Sequence, residues 1–255
     1  MTETFKTELI KNQITSEVDR IPELSNHIIS LGGKRLRPIL TIACAKMLNT
    51  ENNHHIALAA AVELLHTATL VHDDVVDESE LRRGNRSVNQ VWTNSYSVLM
   101  GDFIYSKAFI LMVKLGIPAV LDELAKATND IARGEIIQLE LFEKKQLIEL
   151  KDLLKVSYLK TGRLFEASAK TGAMLACRSA EEIKTFGLLG KALGTAFQIQ
   201  DDILENLFGN LPRVSFFKLC RMVHFAYAES YTGKFQKCGY VHHAHFLPLH
   251  TVSFD

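Results

Sequence analysis

Proline is scarce in the middle of this chain: of its 5 prolines, only Pro118 falls between Pro38 and Pro212. A proline inside a helix removes a backbone hydrogen bond and clashes with the preceding turn, so its scarcity leaves long stretches free to coil. Strict apolar/polar alternation is also missing. Apolar residues recur at three- and four-residue spacing, which argues against a sheet protein and predicts an all-α chain. The 4 cysteines, Cys44, Cys177, Cys220 and Cys238, stand far apart without CxxC spacing, which argues against a disulfide framework or a zinc knuckle. A surplus of either charge is lacking as well. Lys+Arg and Asp+Glu balance at 29 each, against a general nucleic-acid binder, so local clusters carry the information. The start, MTETFKTELIKNQ, has no basic-then-apolar leader layout, and Lys114 interrupts the most apolar stretch, 108 to 121. A soluble, cytoplasmic protein is expected.

What the chain does have is 47% hydrophobic residues over 255 positions, enough for a substantial core. Periodicity predicts helices near 5 to 18, 22 to 31, 38 to 49, 54 to 78, 88 to 115, 118 to 145, 150 to 177 and 180 to 206. Their lengths suit a large helical bundle with a central cavity. Sparse turn signals separate them, among them Gly32-Gly33, Gly84-Asn85 and Gly116-Ile-Pro118. After Glu205 the composition changes: the final segment, 206 to 255, holds 10 of the 21 aromatics and half of the 10 histidines. It reads as an atypical tail after a helical domain spanning 1 to 205.

Two acid clusters stand out, Asp73-Asp74-Val-Val-Asp77 and Asp201-Asp202-Ile-Leu-Glu205. In each the outer acids are four residues apart, which places them on one face of a helix. Both lie in apolar surroundings, where like charges need a compensating cation, and oxygen ligands suit Mg²⁺. Basic groups flank them. His66 precedes Asp73 by two helical turns, Arg82 and Arg83 follow the first cluster, and Gly32-Gly33-Lys34-Arg35-Leu36-Arg37-Pro38 gathers three cations in a turn before a helix. A diphosphate ligand is the economical reading. Glu135, Gln138 and Glu140 read as a solvent-facing stripe and stay outside the candidate site. His242, His243, His245 and His250 receive no metal role, since close histidines in such a tail are more often incidental.

Four segments, GGKRLRP at 32 to 38, LLHTATLVHDDVVDESELRRG at 64 to 84, KTGRLFEASAKTGA at 160 to 173 and GTAFQIQDDILE at 194 to 205, resemble the all-trans isoprenyl (polyprenyl) diphosphate synthase family. The likeness is greatest to its bacterial long-chain, octaprenyl-type branch. It implies a bundle of isoprenoid synthase type and a Mg²⁺-dependent prenyltransferase in which an allylic diphosphate, such as farnesyl diphosphate, ionises and is attacked by isopentenyl diphosphate. Asp73, Asp74 and Asp77 would hold Mg²⁺ on the allylic diphosphate, with Arg82, Lys160 and Thr161 contacting that group and Gln198 facing its pocket. Asp201 and Asp202 would hold the remaining metal, three ions in all. Lys34, Arg37, His66 and Arg83 match the isopentenyl diphosphate grip. Small residues at Ala68 and Thr69, one turn deeper than Asp73, would let a long product pass. The resemblance further implies a homodimer, no nucleic-acid partner, and a product of the ubiquinone side-chain kind, handed over by transient contact with a membrane surface.

The chain departs from the family pattern in Glu205, where Asp is usual, and in lacking the downstream lysine and aspartate motif. A truncated or frame-shifted C-terminal part is the expectation. Two other readings are weighed. A terpene cyclase would share the first acid cluster but not need the GGKRLRP grip. A catalytically impaired or silent homologue, acting as a partner subunit, is consistent with the missing motif.

Overall fold

The computed structural model describes residues 13–50, 53–143, 150–176 and 178–208. The chain divides after Ile203 into two units; of the second, only the helical backbone as far as Phe208 belongs to the described residues. The first unit is a helical bundle. Its elements are α1 (Arg20–Ser30), α2 (Leu36–Met47), α3 (His54–Val76), a two-strand hairpin of β1 (Leu81–Arg82) and β2 (Asn85–Arg86), the short α4 (Val88–Val91), α5 (Asn94–Leu115), α6 (Pro118–Glu143) and α7 (Leu150–Ser157). A π-helical turn, Tyr158–Gly162, then leads into α8 (Arg163–Met174), and α9 runs Ala180–Phe208.

Local chemistry accounts for most boundaries. Gly116 takes a left-handed φ of 68° at the end of α5, and Pro118 opens α6, where its missing N–H costs nothing. The helix expected over 88 to 115 is broken at Trp92-Thr93, because Thr93 adopts an extended backbone and its hydroxyl caps α5 by accepting from the Tyr96 N–H at 3.4 Å. The helix expected over 5 to 18 does not extend into residues 13 to 18; there the chain bends, seating Ile14 in the core, and residues 1 to 12 lie outside the described residues. The hairpin was not expected either. Arg83 and Gly84 both take left-handed angles, φ 55° and 81°, the pattern that closes a two-residue hairpin loop.

Helix α3 is the central rod, packed along α5, α2 and α8. It is long and apolar enough to cross a bilayer by length and composition, yet two thirds of that apolar window is buried inside the bundle. Leu58, Val62, Leu64, Leu65 and Ala68 have no accessible surface. Its other side stays open: His66, Thr69, Leu70 and Asp73 keep partial exposure, at the i, i+3, i+4, i+7 spacing of a single helix face. Helix α9 closes tightly on α8, where a Cβ at Gly194 would lie 2.8 Å from Gly162 Cα and 2.6 Å from Phe165 Cβ. The small-residue contact brings Gln198 and Asp201 toward the same region.

Candidate functional site

The acid cluster at the end of α3 splits into two roles. Asp73 and Asp77 lie one turn apart, and burial pushes the Asp73 carboxyl up to about 7, helped by the negative charges of Glu135 and Asp77 and opposed by Lys160 and Arg82. Asp74, expected beside them as a metal ligand, is turned away. It is 2% exposed, and its Oδ1 accepts from Arg82 Nε at 2.8 Å and also from Arg82 Nη2. The physical reason is the helix itself: a step of one residue rotates the side chain by about 100°, into the packed side. Asp74 therefore anchors the hairpin that carries Arg82, and Asn89 Nδ2 donates to its backbone carbonyl at 3.3 Å.

Lys160 faces this cluster from the π turn. Its ammonium lies 2.7 Å from Glu135 Oε2 and 3.0 Å from Gln138 Oε1, both on α6. The approach is close because position 134 is glycine, where a Cβ would stand 2.8 Å from Leu159 Cβ and 3.1 Å from the Lys160 nitrogen. The extra residue of a π turn redirects side chains locally and is often found at functional sites. The next residue, Thr161, donates its hydroxyl to Gln198 Oε1 at 2.6 Å, tying the turn to α9 one helical turn before Asp201.

The basic group forms around α2 and α3. Arg37 Nη1 donates to His66 Nε2 at 2.9 Å, and the Arg37 guanidinium stacks 4.5 Å above the Phe165 ring. Burial and the surrounding arginines hold His66 well below its ordinary value, so the imidazole is neutral. With Nε2 accepting, the proton sits on Nδ1 and remains available to donate. Burial lowers Arg37 to about 10, still a cation at neutral pH, with Glu63 and Asp201 raising it and Arg83 lowering it. Lys34 is exposed, its ammonium 5.7 Å from the Phe197 ring centre, and Arg83 fastens the hairpin to the loop by donating to the Gly32 carbonyl. Asp73, Lys160, Thr161, Gln198, Asp201, Arg37 and His66 thus follow one another in a circuit of contacts and charge interactions. The side chains of Asp202 and Glu205 lie outside the described residues.

Among the described residues no three His, Cys, Asp or Glu side chains converge as a ready-made metal site. Mg²⁺ does not require one: it is commonly held by one or two carboxylates together with substrate phosphates. Asp73, crowded by two further acids on a half-buried face, is the kind of oxygen donor that a divalent cation would relieve.

The polyprenyl synthetase family profile matches residues 18–210, a span that contains every member of this circuit. The chain belongs to the polyprenyl synthetase family. Octaprenyl diphosphate synthase of Escherichia coli (strain K12) is 45% identical over 196 residues, covering 77% of this chain and 60% of that relative. The crystal structure of a decaprenyl diphosphate synthase from Rhodobacter capsulatus superposes with a TM-score of 0.76 at 41% identity, over 80% of this chain and 63% of that one. A polyprenyl synthase from Caulobacter crescentus CB15, complexed with calcium and isoprenyl diphosphate, gives 0.75 at 40% identity, over 80% and 62%. The chain spans about 60% of the length of the first curated relatives it matches.

Against this family background, two departures from the sequence reading matter. Glu135 and Gln138, read as a solvated stripe, hold Lys160; the signal that could have found them is Gly134, which marks a close approach beside two polar residues on one face. Ala68, expected on the tunnel wall with Thr69, has no accessible surface and sits in the packed core. Thr69 alone of the two lies on the open face, because the fourth residue before Asp73 shares its side of the helix and the fifth does not.

Proposed function

We propose that this chain is a trans-prenyltransferase that condenses an allylic diphosphate with isopentenyl diphosphate to give an all-trans polyprenyl diphosphate. The observation that carries the reading is the division of α3: a neutral His66 gripped by Arg37, then Asp73 and Asp77 two turns on, with Lys160 across from them. Two diphosphates of different handling fit such a face. Lys34, Arg37, His66 and Arg83 bind the isopentenyl diphosphate through charge-assisted hydrogen bonds. Asp73, Asp77 and Asp201 would hold divalent metal, which would supply positive charge to offset that of the departing diphosphate. Lys160 supports the same leaving group, positioned by Glu135, Gln138 and the Thr161–Gln198 bond. Leu70, on the same open face of α3 as His66, Thr69 and Asp73, gives the developing allylic cation an apolar neighbour in place of water.

In finer detail, we assign a product near the octaprenyl length, by likeness to the octaprenyl diphosphate synthases, and add three Mg²⁺ ions and farnesyl diphosphate as the starter as part of the same proposal. Residues 1 to 205 form the synthase domain in this reading and 206 to 255 a separate tail. A cytoplasmic homodimer that hands its product to a membrane surface completes the proposal. Supporting the dimer is the outer face of α5, where Leu99, Ile110 and Val113 are 66%, 48% and 63% exposed. The test is incubation of the purified chain with Mg²⁺, farnesyl diphosphate and labelled isopentenyl diphosphate, followed by chromatographic sizing. Elongated all-trans products are expected. A folded chain that yields none would sink the enzyme reading and favour a silent partner subunit.

A further inference from the structure

The basic grip contains a buried carboxylate that the reaction chemistry above does not use. Glu63 lies on α3 one turn before His66 and is 3% exposed. Its Oε1 accepts from Arg35 Nη1, a side chain itself only 12% exposed. Its Oε2 is buried and has no hydrogen-bond partner among the described residues, and the same holds for Arg37 Nε. An acceptor and a donor are thus both left open in one cluster, a costly arrangement for buried polar atoms.

Arg35 is the residue that enters α2, and it does so with a left-handed backbone, φ 51° and ψ 40°. That conformation is uncommon for a residue with a long side chain and persists only when surroundings over-determine it. The Glu63 ion pair supplies the constraint. It fastens the loop 32 to 35 onto α3 and thereby sets where Lys34 points before α2 and where Arg37 begins its first turn. Glu63 also helps keep Arg37 charged against its burial.

We propose that Glu63, through Arg35 and Arg37, is the positioning residue of the isopentenyl diphosphate grip. The carboxylate does not touch substrate. It holds Arg35 back from the ligand and presents Arg37 and Lys34 in a fixed arrangement, so that the diphosphate meets an ordered pair of cations rather than a mobile cluster. This rests on the reading that the GGKRLRP loop binds that diphosphate.

The experiment is calorimetric titration of the full chain with isopentenyl diphosphate, beside steady-state kinetics with both substrates varied. Glu63→Gln is expected to weaken isopentenyl diphosphate binding about tenfold and to raise its KM accordingly, with kcat and the allylic KM within about twofold. The double variant Arg35→Met/Glu63→Leu replaces the ion pair by apolar groups, an exchange that buried pairs often tolerate in stability. It carries the same test where the single variant does not fold, and is expected to melt near the wild type yet bind about tenfold more weakly. Wild-type affinity in the double variant would reduce the pair to a structural strut and overturn the proposal, as would unchanged or tighter binding by Glu63→Gln. A wild-type chain that binds no isopentenyl diphosphate would instead remove the functional reading on which the proposal stands, and the proposal with it.

Discussion

Replacing Gly134 by alanine tests whether the close approach of α6 to the π turn builds the Lys160 site. The added Cβ would stand 2.8 Å from Leu159 Cβ, 3.1 Å from the Lys160 nitrogen and 3.2 Å from Lys160 Cγ. Carbon atoms sit comfortably at about 3.5–4.0 Å, so the two segments must part by roughly 1 Å. Overpacking of this kind costs about 1–3 kcal/mol, offset by about 1 kcal/mol from the better helix propensity of alanine. A net loss of up to about 2 kcal/mol is expected in urea denaturation. The functional loss should be larger than the loss in stability. A shift of that size takes the 2.7 and 3.0 Å contacts of Lys160 with Glu135 and Gln138 out of hydrogen-bonding range. Misplacement of a charge by such a distance can cost about a hundredfold in kcat/KM. A Gly134→Ala protein as stable as the wild type and fully active would refute the reasoning, since the contact would then be slack.

Other perturbations follow from the same geometry. Asp73→Asn should raise the melting temperature above pH 7 in EDTA: the raised folded pKa makes its contribution complete below the ordinary value of 3.8 and lost as pH climbs through about 7, so parallel melting profiles for both proteins would contradict it. Glu123→Ala should destabilise by about 3 kcal/mol in denaturant titrations, because it takes the buried carboxylate from buried Arg163 and half-buried Lys170, bonded to it at 2.8 and 2.5 Å, and leaves Arg163 with Asp130 alone of its two carboxylates. Lys126→Ala, which breaks an exposed pair with Asp122, should leave the denaturation midpoint nearly unchanged, and equal effects of the two would show that burial is not the deciding factor. Thr69→Phe should shorten the prenyl product on chromatography, whereas Ala68→Phe should chiefly lower stability by overpacking the closed core; the reverse pattern would place the tunnel on the other side of α3.

The bundle was legible because its helices carry their own stop signals. Gly116 and Pro118 bracket a turn whose angles follow from those residue types alone, and the apolar spacing over 54 to 78 predicts the helix that the structure shows as His54–Val76. The acid and basic motifs were legible because charge inside apolar sequence is conspicuous. What stayed hidden depends on tertiary approach. Nothing in Tyr158–Gly162 distinguishes a π turn from ordinary helix until α6 presses against it at Gly134. Glu135 and Gln138 could not be separated from a wet stripe without knowing that Lys160 stands opposite. Asp74 shares its neighbours' chemistry, and only the rotation of the helix, together with the Arg82 hairpin, removes it from their face.

Because α3 runs unbroken from His54 to Val76, the interval between its basic end and its acidic end is a ruler cut into one rod. Seven residues at about 1.5 Å each place His66 and Asp73 roughly 10 Å apart along the axis, on nearly the same bearing. No hinge or lid can alter that gauge. Two anions lodged at these marks would meet at a spacing fixed when the chain folds, and inserting a single residue between them would swing one mark through about a quarter turn and spoil the alignment.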